Sequence, residues 1–322
     1  MKIRGIEFTN CFLASGSLNF FGDGWPYDVL YKIFVPGFRR INRTTFVAKT
    51  TTLNYRAGNM PLNKNLQPKE FKPKCIKIYP FKGAVLNAVG LSGPGAKALF
   101  DDGRWQKIDR PFFISFMAVG NTKEERLQET KDFVALLKYY LPGFKTKIGL
   151  QINISCPNTK HHTADLAGEA LEVLRIASDL KIPLDLKANA LIGTETVREI
   201  EASGLCDILT ISNTIPWGTP DVGIDWKKFS KTGESPLAEF GGGGLSGSDI
   251  FPLVLYKIQN LRFEGIKMPI KASGGISSPK KVRMIKKAGA DFFEIGYVLM
   301  IRPLRVWWIL RQAEKIKNLE IK

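Results

Sequence analysis

A short stretch at residues 151–159, Gln-Ile-Asn-Ile-Ser-Cys-Pro-Asn-Thr, carries the densest candidate chemistry of the chain. Residues 148–154 form an apolar, β-branched run that is typical of a buried strand, and polar side chains follow it on a proline-containing loop. Asn153 and Asn158 each offer two donors and an acceptor, which suits the edge of a planar, amide-rich ligand. Cys156 between them is a candidate acid or base. The alternative is an ordinary turn after a strand, with a buried, inert cysteine.

Two lysines at the ends of strand-like runs indicate further parts of a binding site. Lys49 follows the run at residues 46–48, and Lys187 follows the run at residues 184–186. Burying an ammonium group without a partner is costly, so we expect each lysine to face an anionic or electron-rich ligand. For either lysine alone, the alternative is a strand-end side chain whose ammonium reaches water.

Two glycine-rich stretches favour a phosphate site. Residues 241–247, Gly-Gly-Gly-Gly-Leu-Ser-Gly, precede a helical pattern at Asp249, and residues 273–276, Ser-Gly-Gly-Ile, precede another at Ser278. Glycines let backbone N–H groups converge on phosphate oxygens, and the following helix N-terminus adds a favourable dipole. The alternative is a flexible loop and a pair of capping glycines. Residues 14–17, Ala-Ser-Gly-Ser, would allow a flat ligand to approach the backbone closely.

The secondary-structure elements that must position these residues are predicted to be alternating strands and helices, as in an α/β protein. Strand-length apolar runs occupy residues 12–15, 45–49, 112–118, 148–154, 183–187, 207–212, 269–273 and 291–296. Helical patterns occupy residues 27–34, 123–140, 164–180, 194–202, 249–261, 278–288 and 303–316. This alternation predicts parallel strands. Eight strands with polar residues at their carboxyl ends favour a closed (β/α)8 TIM barrel over a doubly wound open sheet.

Two segments are too long to be simple connections, residues 50–110 and residues 216–246. We interpret both as insertions over the carboxyl-end mouth of one barrel domain that spans residues 1–322. Trp307 and Trp308 in the last helix could stack on nucleic acid or face a membrane. The apolar residues around them favour packing against the barrel wall instead.

Composition narrows the class of protein. The net charge of +17 and the pI near 9.7 keep nucleic acid and anionic membrane surfaces in play as partners, yet the basic residues are scattered, which favours a solvated basic surface. Four cysteines without a CxxC pair and only two histidines indicate neither a disulfide framework nor a metal site. The amino-terminal residues lack a signal-peptide pattern. We therefore expect a soluble cytoplasmic protein without a membrane span.

The motif at residues 153–158 resembles the Asn-x-Ser-Cys-Pro-Asn motif of class 1 dihydroorotate dehydrogenases, flavoproteins of pyrimidine biosynthesis. Further pieces match in the family's order over residues 14–297, including Ala14-Ser15-Gly16, Ala48-Lys49-Thr50, Asn87-x-x-Gly90-Leu91, Lys187, Asn213 and both glycine stretches. The resemblance implies a TIM barrel that holds FMN and oxidises dihydroorotate to orotate. Cys156 would be the base that removes the C5 proton, while hydride passes to flavin N5. Lys187 would stabilise the anionic reduced flavin.

The resemblance also implies a set of contacts. Cofactor contacts would come from Ala14, Ser15, Gly16, Lys49, Asn153, Lys187, Gly243, Gly244, Gly274, Gly275, Gly296 and Tyr297. Substrate contacts would come from Lys49, Asn87, Gly90, Leu91, Asn153, Asn158, Asn213 and Thr214. Family expectation is a homodimer, with an added electron-transfer subunit as an option. The electron acceptor stays open between fumarate, NAD through a partner, and others.

The chain departs from the family pattern at several positions. Residues 159–163 lack the Gly/Pro-rich lid that is usual in class 1, and the preceding Pro-Asn-Thr is similar to class 2, in which the base is serine. Gly93 stands where the family usually has asparagine, Thr214 where serine is frequent, and Tyr297 where threonine is frequent. These departures bear on the substrate fit and on the electron acceptor.

Three other functions compete. A tRNA dihydrouridine synthase-like enzyme shares an Asn-x-x-Cys-Pro motif and suits the positive charge, but the motif at residues 87–91 and Asn213 argue against it. A dihydropyrimidine dehydrogenase-like enzyme would reduce uracil, and its full-length form would need cysteine-rich iron–sulfur segments, which the chain lacks. A barrel that only binds a phosphorylated ligand would leave the asparagines and Cys156 without a role.

Overall fold

The computed structural model describes residues 2–154 and 168–320, with side chains to Ile316. Its strands, in chain order, are β1 (Lys2–Ile3), β2 (Ile6–Glu7), β3 (Cys11–Leu13), β4 (Thr45–Phe46), β5 (Ile76–Tyr79), β6 (Ala84–Asn87), β7 (Phe112–Phe116), β8 (Ile148–Asn153), β9 (Leu184–Ala188), β10 (Ile208–Ile211), β11 (Ile215–Pro216), β12 (Gly244–Gly247), β13 (Ile270–Ser273) and β14 (Phe292–Ile295). Cys156 and Asn158 lie outside the described residues.

Eight of these strands form a parallel barrel in the order β4-β3-β14-β13-β10-β9-β8-β7. The two ends of this sheet meet, because Val47 and Phe113 form a parallel bridge just after β4, and Thr51 and Phe116 form another. The eight strands fall within, or one residue beyond, the eight runs expected from the sequence. The prediction of a TIM barrel is therefore confirmed.

Helices follow the barrel strands on the outside. They are α1 (Asp28–Phe34), α2 (Ala96–Asp101), α3 (Lys123–Tyr140), α4 (Ala170–Ala177), α5 (Thr194–Ser203), α6 (Phe251–Phe263), α7 (Pro279–Lys287), α8 (Tyr297–Ile301) and α9 (Pro303–Glu320). The start of α3 shows why such boundaries were readable from the sequence: the Thr122 hydroxyl accepts from the Glu125 N–H at 3.1 Å, and the Glu125 carboxylate accepts from the Thr122 N–H. This capping box supplies partners for N–H groups that have none within the helix.

Aromatic side chains close the amino-terminal end of the barrel. Phe8 packs on Phe113 with ring centroids 4.9 Å apart, and Phe12 packs edge-on against Phe292 at 5.4 Å. The β1–β2 hairpin adds Ile3 and Ile6 to the same cluster. An added Cβ at Gly149 would lie 2.3 Å from the Phe113 ring, so glycine at that position leaves room for the aromatic layer. This end of the barrel is thus packed solid, which leaves the opposite end for binding.

The two long segments form one structure that the sequence did not predict. Strands β5 and β6 from the first segment pair with each other, β6 pairs with β12, and β12 pairs with β11. All three pairings are antiparallel, and they form a four-stranded sheet of order β11-β12-β6-β5. At the end of β12, the Gly247 carbonyl comes so close to Gly275 that a Cβ there would lie 2.8 Å from it. Because Gly275 is the second residue after barrel strand β13, this contact holds the added sheet at the carboxyl-end mouth.

The last helix corrects one expectation. Val306, Ile309 and Leu310 are buried against the barrel, as expected, but the Trp308 side chain is 52% exposed. Within the described ranges, no helix combines the length and the apolar character needed to cross a membrane.

Candidate functional site

A cavity of about 750 Å³ opens at the carboxyl ends of the barrel strands. Most of the residues expected at a binding site line it: Ala14, Ser15, Gly16, Lys49, Asn87, Leu91, Asn153, Lys187, Asn213, Thr214, Gly274, Gly275, Gly296 and Tyr297. These residues come from widely separated parts of the chain. The barrel brings them together because parallel strands all end at the same rim.

Among the expected residues that the structure describes, Gly90, Gly243 and Gly244 do not line the cavity. Gly244 pairs with Asn87 in the added sheet, and a Cβ on Gly243 would lie 2.6 Å from the Asn87 carbonyl oxygen. Gly90 has φ of 70°, and its carbonyl accepts from Arg56 Nε at 2.9 Å. These glycines therefore shape the backbone behind the cavity, and Asn87 and Leu91 are the neighbours that reach it.

An amide cluster lies at the centre of the rim. Asn213 Nδ2 donates to Asn153 Oδ1 at 3.0 Å, and Asn153 Nδ2 lies 3.5 Å from the Thr50 hydroxyl. Thr50 is 2.9 Å from the hydroxyl of Ser15, whose own hydroxyl donates to the Ala48 carbonyl at 2.8 Å. The network fixes the orientation of both asparagines. Ordered amides of this kind can recognise the donor and acceptor edge of a heterocycle.

Lys49 is buried at the same rim. Its ammonium donates to the Ser92 carbonyl and lies 4.5 Å above the centre of the Phe20 ring. Both contacts stabilise a cation, the carbonyl through its dipole and the ring through its electron-rich face. The side chain therefore brings a positive charge to the cavity lining.

Lys187 forms a buried ion pair across the barrel. Its ammonium lies 2.6 Å from Glu294 Oε1, which also accepts from the Ser273 hydroxyl at 2.6 Å. Both charged side chains line the cavity, and both are almost wholly buried. Burial alone would raise the pKa of Glu294, but the ammonium groups of Lys187 and Lys271 outweigh it and hold the pKa below its ordinary value. Glu294 is therefore a carboxylate, and it offsets the charge of Lys187.

A second buried pair lies deeper in the barrel. Lys271 Nζ is 2.5 Å from Asp185 Oδ2 and 3.7 Å from Glu294 Oε2, and it stacks 4.3 Å above the Phe12 ring. Asp185 also accepts from Gln151 Nε2 at 2.8 Å. The four charged groups of the two pairs sum to zero, which limits the cost of burying them.

Backbone groups at the ends of β13 and β14 form a cradle. Gly274 and Gly275 have φ of 113° and 72°, and a Cβ on Gly275 would also collide with Phe251. The Tyr297 hydroxyl donates to the Gly275 carbonyl at 3.3 Å, and Lys281 Nζ donates to the same carbonyl at 2.7 Å. Burial lowers the pKa of Lys281 to about 8. An anion seated beside this ammonium would favour its charged form.

Glu294, Lys271 and Lys281 were not among the residues predicted from the sequence. Glu294 and Lys271 carried the same signal as Lys49 and Lys187, a single charge inside an apolar strand-like run. Lys281 carried a weaker signal, a basic residue in the first turn after the glycine pair. A search for any isolated charge in a strand, whatever its sign, would have found the first two.

The described thiols do not suit base chemistry. Burial raises the pKa of the Cys75 thiol to about 11 and that of Cys206 to about 12, and it raises the pKa of Cys11 further. None of these three cysteines lines the cavity. A cysteine base in this protein would have to be Cys156.

The fold and the cavity define a β/α-barrel protein with a polar binding site at its carboxyl-end mouth. The chain belongs to the dihydroorotate dehydrogenase family, whose family model matches residues 1–312. It is a class 1 member and a flavin oxidoreductase that acts on CH–CH bonds in pyrimidine biosynthesis.

Its relatives include catalytic subunits of dihydroorotate dehydrogenase B (NAD(+)). The protein from Geobacillus sp. (strain WCH70) is 30% identical over 94% of this chain and 85% of its own length. That from Anoxybacillus flavithermus is 28% identical over 94% and 86%. A crystal structure of dihydroorotate dehydrogenase from Eimeria tenella with ferulenol superposes with a TM-score of 0.66 at 19% identity, covering 99% of this chain and 84% of that one. This structural likeness shows the shared fold.

Proposed function

We propose that the chain oxidises dihydroorotate to orotate at the cavity rim, with FMN as its flavin and Cys156 as its base. One observation carries the proposal: the amides of Asn153 and Asn213, the ammonium groups of Lys49 and Lys187, and the cradle at Gly274 and Gly275 line a single cavity. These are the groups that a ring amide, a carboxylate and a phosphorylated flat cofactor would need.

The residues present fit FMN. Gly274 and Gly275 leave backbone space that a side chain would fill, and Lys281 adds a cation beside them. The cavity volume of about 750 Å³ lies within the range of about 300–1,000 Å³ for small-molecule sites. Ala14, Gly16 and Lys187 would lie along the cofactor, and Gly296 and Tyr297 would help to hold its phosphate. Once bound, the flavin supplies the hydride acceptor that this oxidation requires.

The chain's own residues would then position the substrate and move a proton. Lys49 would bind the carboxylate of dihydroorotate, and Asn87, Asn153, Asn158 and Asn213 would bind its ring amides, with backbone contacts from Leu91 and Thr214. The thiolate of Cys156 would take the proton from C5 of the ring while the adjacent carbon loses hydride. Orientation of the reacting groups supplies much of such an acceleration.

The names of the relatives support a proposal about partners. Their names describe a catalytic subunit that works with NAD(+). We infer that electrons leave this chain through a second, electron-transferring subunit, that two copies of the chain associate as a homodimer, and that the reaction takes place in the cytoplasm. A single FMN-binding barrel domain would span residues 1–322.

Replacing Cys156 tests the assignment of the base. Cys156→Ala should still bind FMN and orotate, while flavin reduction by dihydroorotate slows on the order of 10²–10⁴-fold, the usual contribution of a general base. Cys156→Ser should be intermediate and should gain rate with rising pH, because a hydroxyl loses its proton less readily than a thiol. Stopped-flow measurements from about pH 6 to about pH 10 would show this.

The matched control is Cys206→Ala, because that thiol precedes β10 at the closed end of the barrel. It should reduce its flavin at the wild-type rate. If Cys156→Ala does so too at every pH, Cys156 is not the base.

A further inference from the structure

Helix α1 exposes its more apolar face. Val29, Leu30, Ile33 and Phe34 fall on one side of the helix, and their side chains are 57%, 53%, 60% and 74% exposed. A surface helix normally turns such a stripe toward the core. Here the opposite side faces inward, because Asp28 is buried and the Tyr31 hydroxyl donates to the Met300 carbonyl at 3.1 Å.

The start of α9 extends this apolar surface. Leu304 and Trp308 are 64% and 52% exposed, and the neighbouring Trp307 packs so closely on Gly37 that a Cβ there would lie 2.2 Å from its ring. Gly37 belongs to the turn that directly follows α1, so the two helices share one side of the molecule. The docking face is defined here as Val29, Leu30, Ile33, Phe34, Leu304 and Trp308.

Basic residues surround the docking face. Residues 28–43 contain four lysines and arginines, residues 303–316 contain three, and each segment has a single acidic residue. The two acidic residues offset only part of this charge: Glu314 lies 3.4 Å from Arg40 and neutralises it, whereas Asp28 is buried on the inner side of α1. Arg39 and Arg305 are exposed. Apolar side chains, an interfacial tryptophan and a basic rim together are typical of proteins that bind an anionic membrane surface.

We propose that the docking face binds the surface of an anionic lipid membrane, with its apolar side chains inserted among the acyl chains and its arginines on the lipid phosphates. A second copy of the chain fits less well, because a twofold contact would bring two basic rims together. An acidic protein would complement the rim. However, apart from the Trp308 indole, the face offers no side chain for the hydrogen bonds that protein interfaces contain.

Vesicle flotation with the purified full-length protein tests this. The protein should float with vesicles of equal parts phosphatidylcholine and phosphatidylglycerol and stay unbound with phosphatidylcholine alone. Added salt should weaken the binding, because it screens the arginines. The double variant Ile33→Ser/Phe34→Ser should bind at least about 10-fold more weakly, because two apolar side chains leave the lipid. Arg39→Gln/Arg43→Gln should lose on the order of 10-fold.

Matched controls lie elsewhere on the surface. Phe263→Ser removes an 88% exposed ring at the end of α6, and Lys131→Gln removes an exposed charge on α3. Both should float as wild type does. Brominated acyl chains should quench wild-type tryptophan fluorescence, and Trp308→Leu should lose most of that quenching.

Several outcomes would overturn the proposal. They are the absence of flotation, equal flotation with neutral vesicles, and docking-face variants that bind like their controls. A sedimentation shift on Ile33→Ser/Phe34→Ser without any vesicle binding would instead assign the face to a contact between copies. Capture of an acidic protein without vesicle binding would assign it to a protein partner. None of these measurements depends on flavin or on turnover, so the result is independent of the proposed activity.

Discussion

Glu294 determines how much positive charge Lys187 presents to the cavity. The carboxylate lies 2.6 Å from the Lys187 ammonium and 3.7 Å from that of Lys271, and all three side chains are almost wholly buried. Charges interact strongly in such surroundings. A flavin beside this pair would gain negative charge on reduction next to a lysine that is already half neutralised. Glu294 therefore should hold the reduction potential of the bound flavin below the value that Lys187 alone would give.

Glu294→Gln should raise that potential. The substitution removes one negative charge and keeps the side-chain shape, so reduction becomes more favourable by about 30–60 mV, or roughly 1.4–3 kcal/mol for a two-electron couple. Spectroscopic titration against reference dyes measures the shift without turnover. Glu199→Gln, an exposed site on α5, serves as the control and should leave the potential unchanged. A Glu294→Gln protein that binds flavin at the wild-type potential would show that the pair is structural only.

The lysines show what sequence can and cannot reveal about single residues. A lysine at the end of an apolar run predicted that Lys49 and Lys187 face an anionic or electron-rich ligand, and the structure places both side chains on the cavity lining. The identity of that partner was out of reach, because Glu294 lies 107 residues away from Lys187 in the chain and meets it only when the barrel closes. For the same reason, the sequence could not show that Gly244 pairs with Asn87 in the added sheet, and the phosphate contact expected of Gly243 and Gly244 stays a prediction.

Helix α1 is an element whose two sides do different things. Its inner side walls the cavity with Tyr27, Asp28 and Tyr31, and its outer side forms most of the docking face. Burial raises the pKa of Asp28 from 3.8 to about 6, although the Trp25 N–H and the nearby Lys32 oppose the shift. Because burial disfavours the ionised form of the Asp28 carboxyl, we expect α1 to be less stable near neutral pH, where this group is charged, than in mild acid.

Asp28→Asn should therefore stabilise the protein at higher pH. A carboxyl whose pKa is raised on folding contributes stability that is complete below its unfolded pKa and is lost as pH rises through about 6. Asparagine cannot ionise and still accepts from the Trp25 N–H. Relative to wild type, the variant should gain on the order of 1–3 kcal/mol in unfolding free energy between about pH 4 and about pH 7.5.

Urea unfolding at both pH values measures this difference. Asp132→Asn, at an exposed position on α3, is the control and should show no such gain. An equal gain in unfolding free energy in both variants would mean that ionisation of the buried Asp28 does not destabilise the protein.

Elements were more predictable than their assembly. Periodicity located the eight barrel strands, because buried parallel strands are continuous apolar runs. The added sheet could not be predicted from the sequence, because its strands are short, antiparallel and partly polar. In addition, β6 and β12 lie far apart in the chain, so no local sequence pattern indicates that they pair. The exposure of the apolar side of α1 could not be predicted either, because an apolar stripe on a helix ordinarily indicates burial.

At the scale of the whole molecule, barrel closure gathers side chains from eight strands, and the two long segments pair above them to complete the cavity. Part of the positive charge of the chain is concentrated around the docking face. This part of the charge is explained by membrane binding and does not require a nucleic-acid partner. The tRNA-modifying alternative and the uracil-directed alternative both keep a flavin and a barrel, so the choice of substrate is what separates them from dihydroorotate oxidation.

The most direct test is to follow the visible absorbance of the purified, flavin-loaded protein under anaerobic conditions while one candidate substrate at a time is added. Dihydroorotate should bleach the flavin rapidly, whereas dihydrouracil and dihydrouridine-containing tRNA should leave it oxidised over the same period. The Cys156→Ala protein should bind orotate and bleach only slowly. Bleaching by dihydrouracil or by tRNA, with no response to dihydroorotate, would contradict the account.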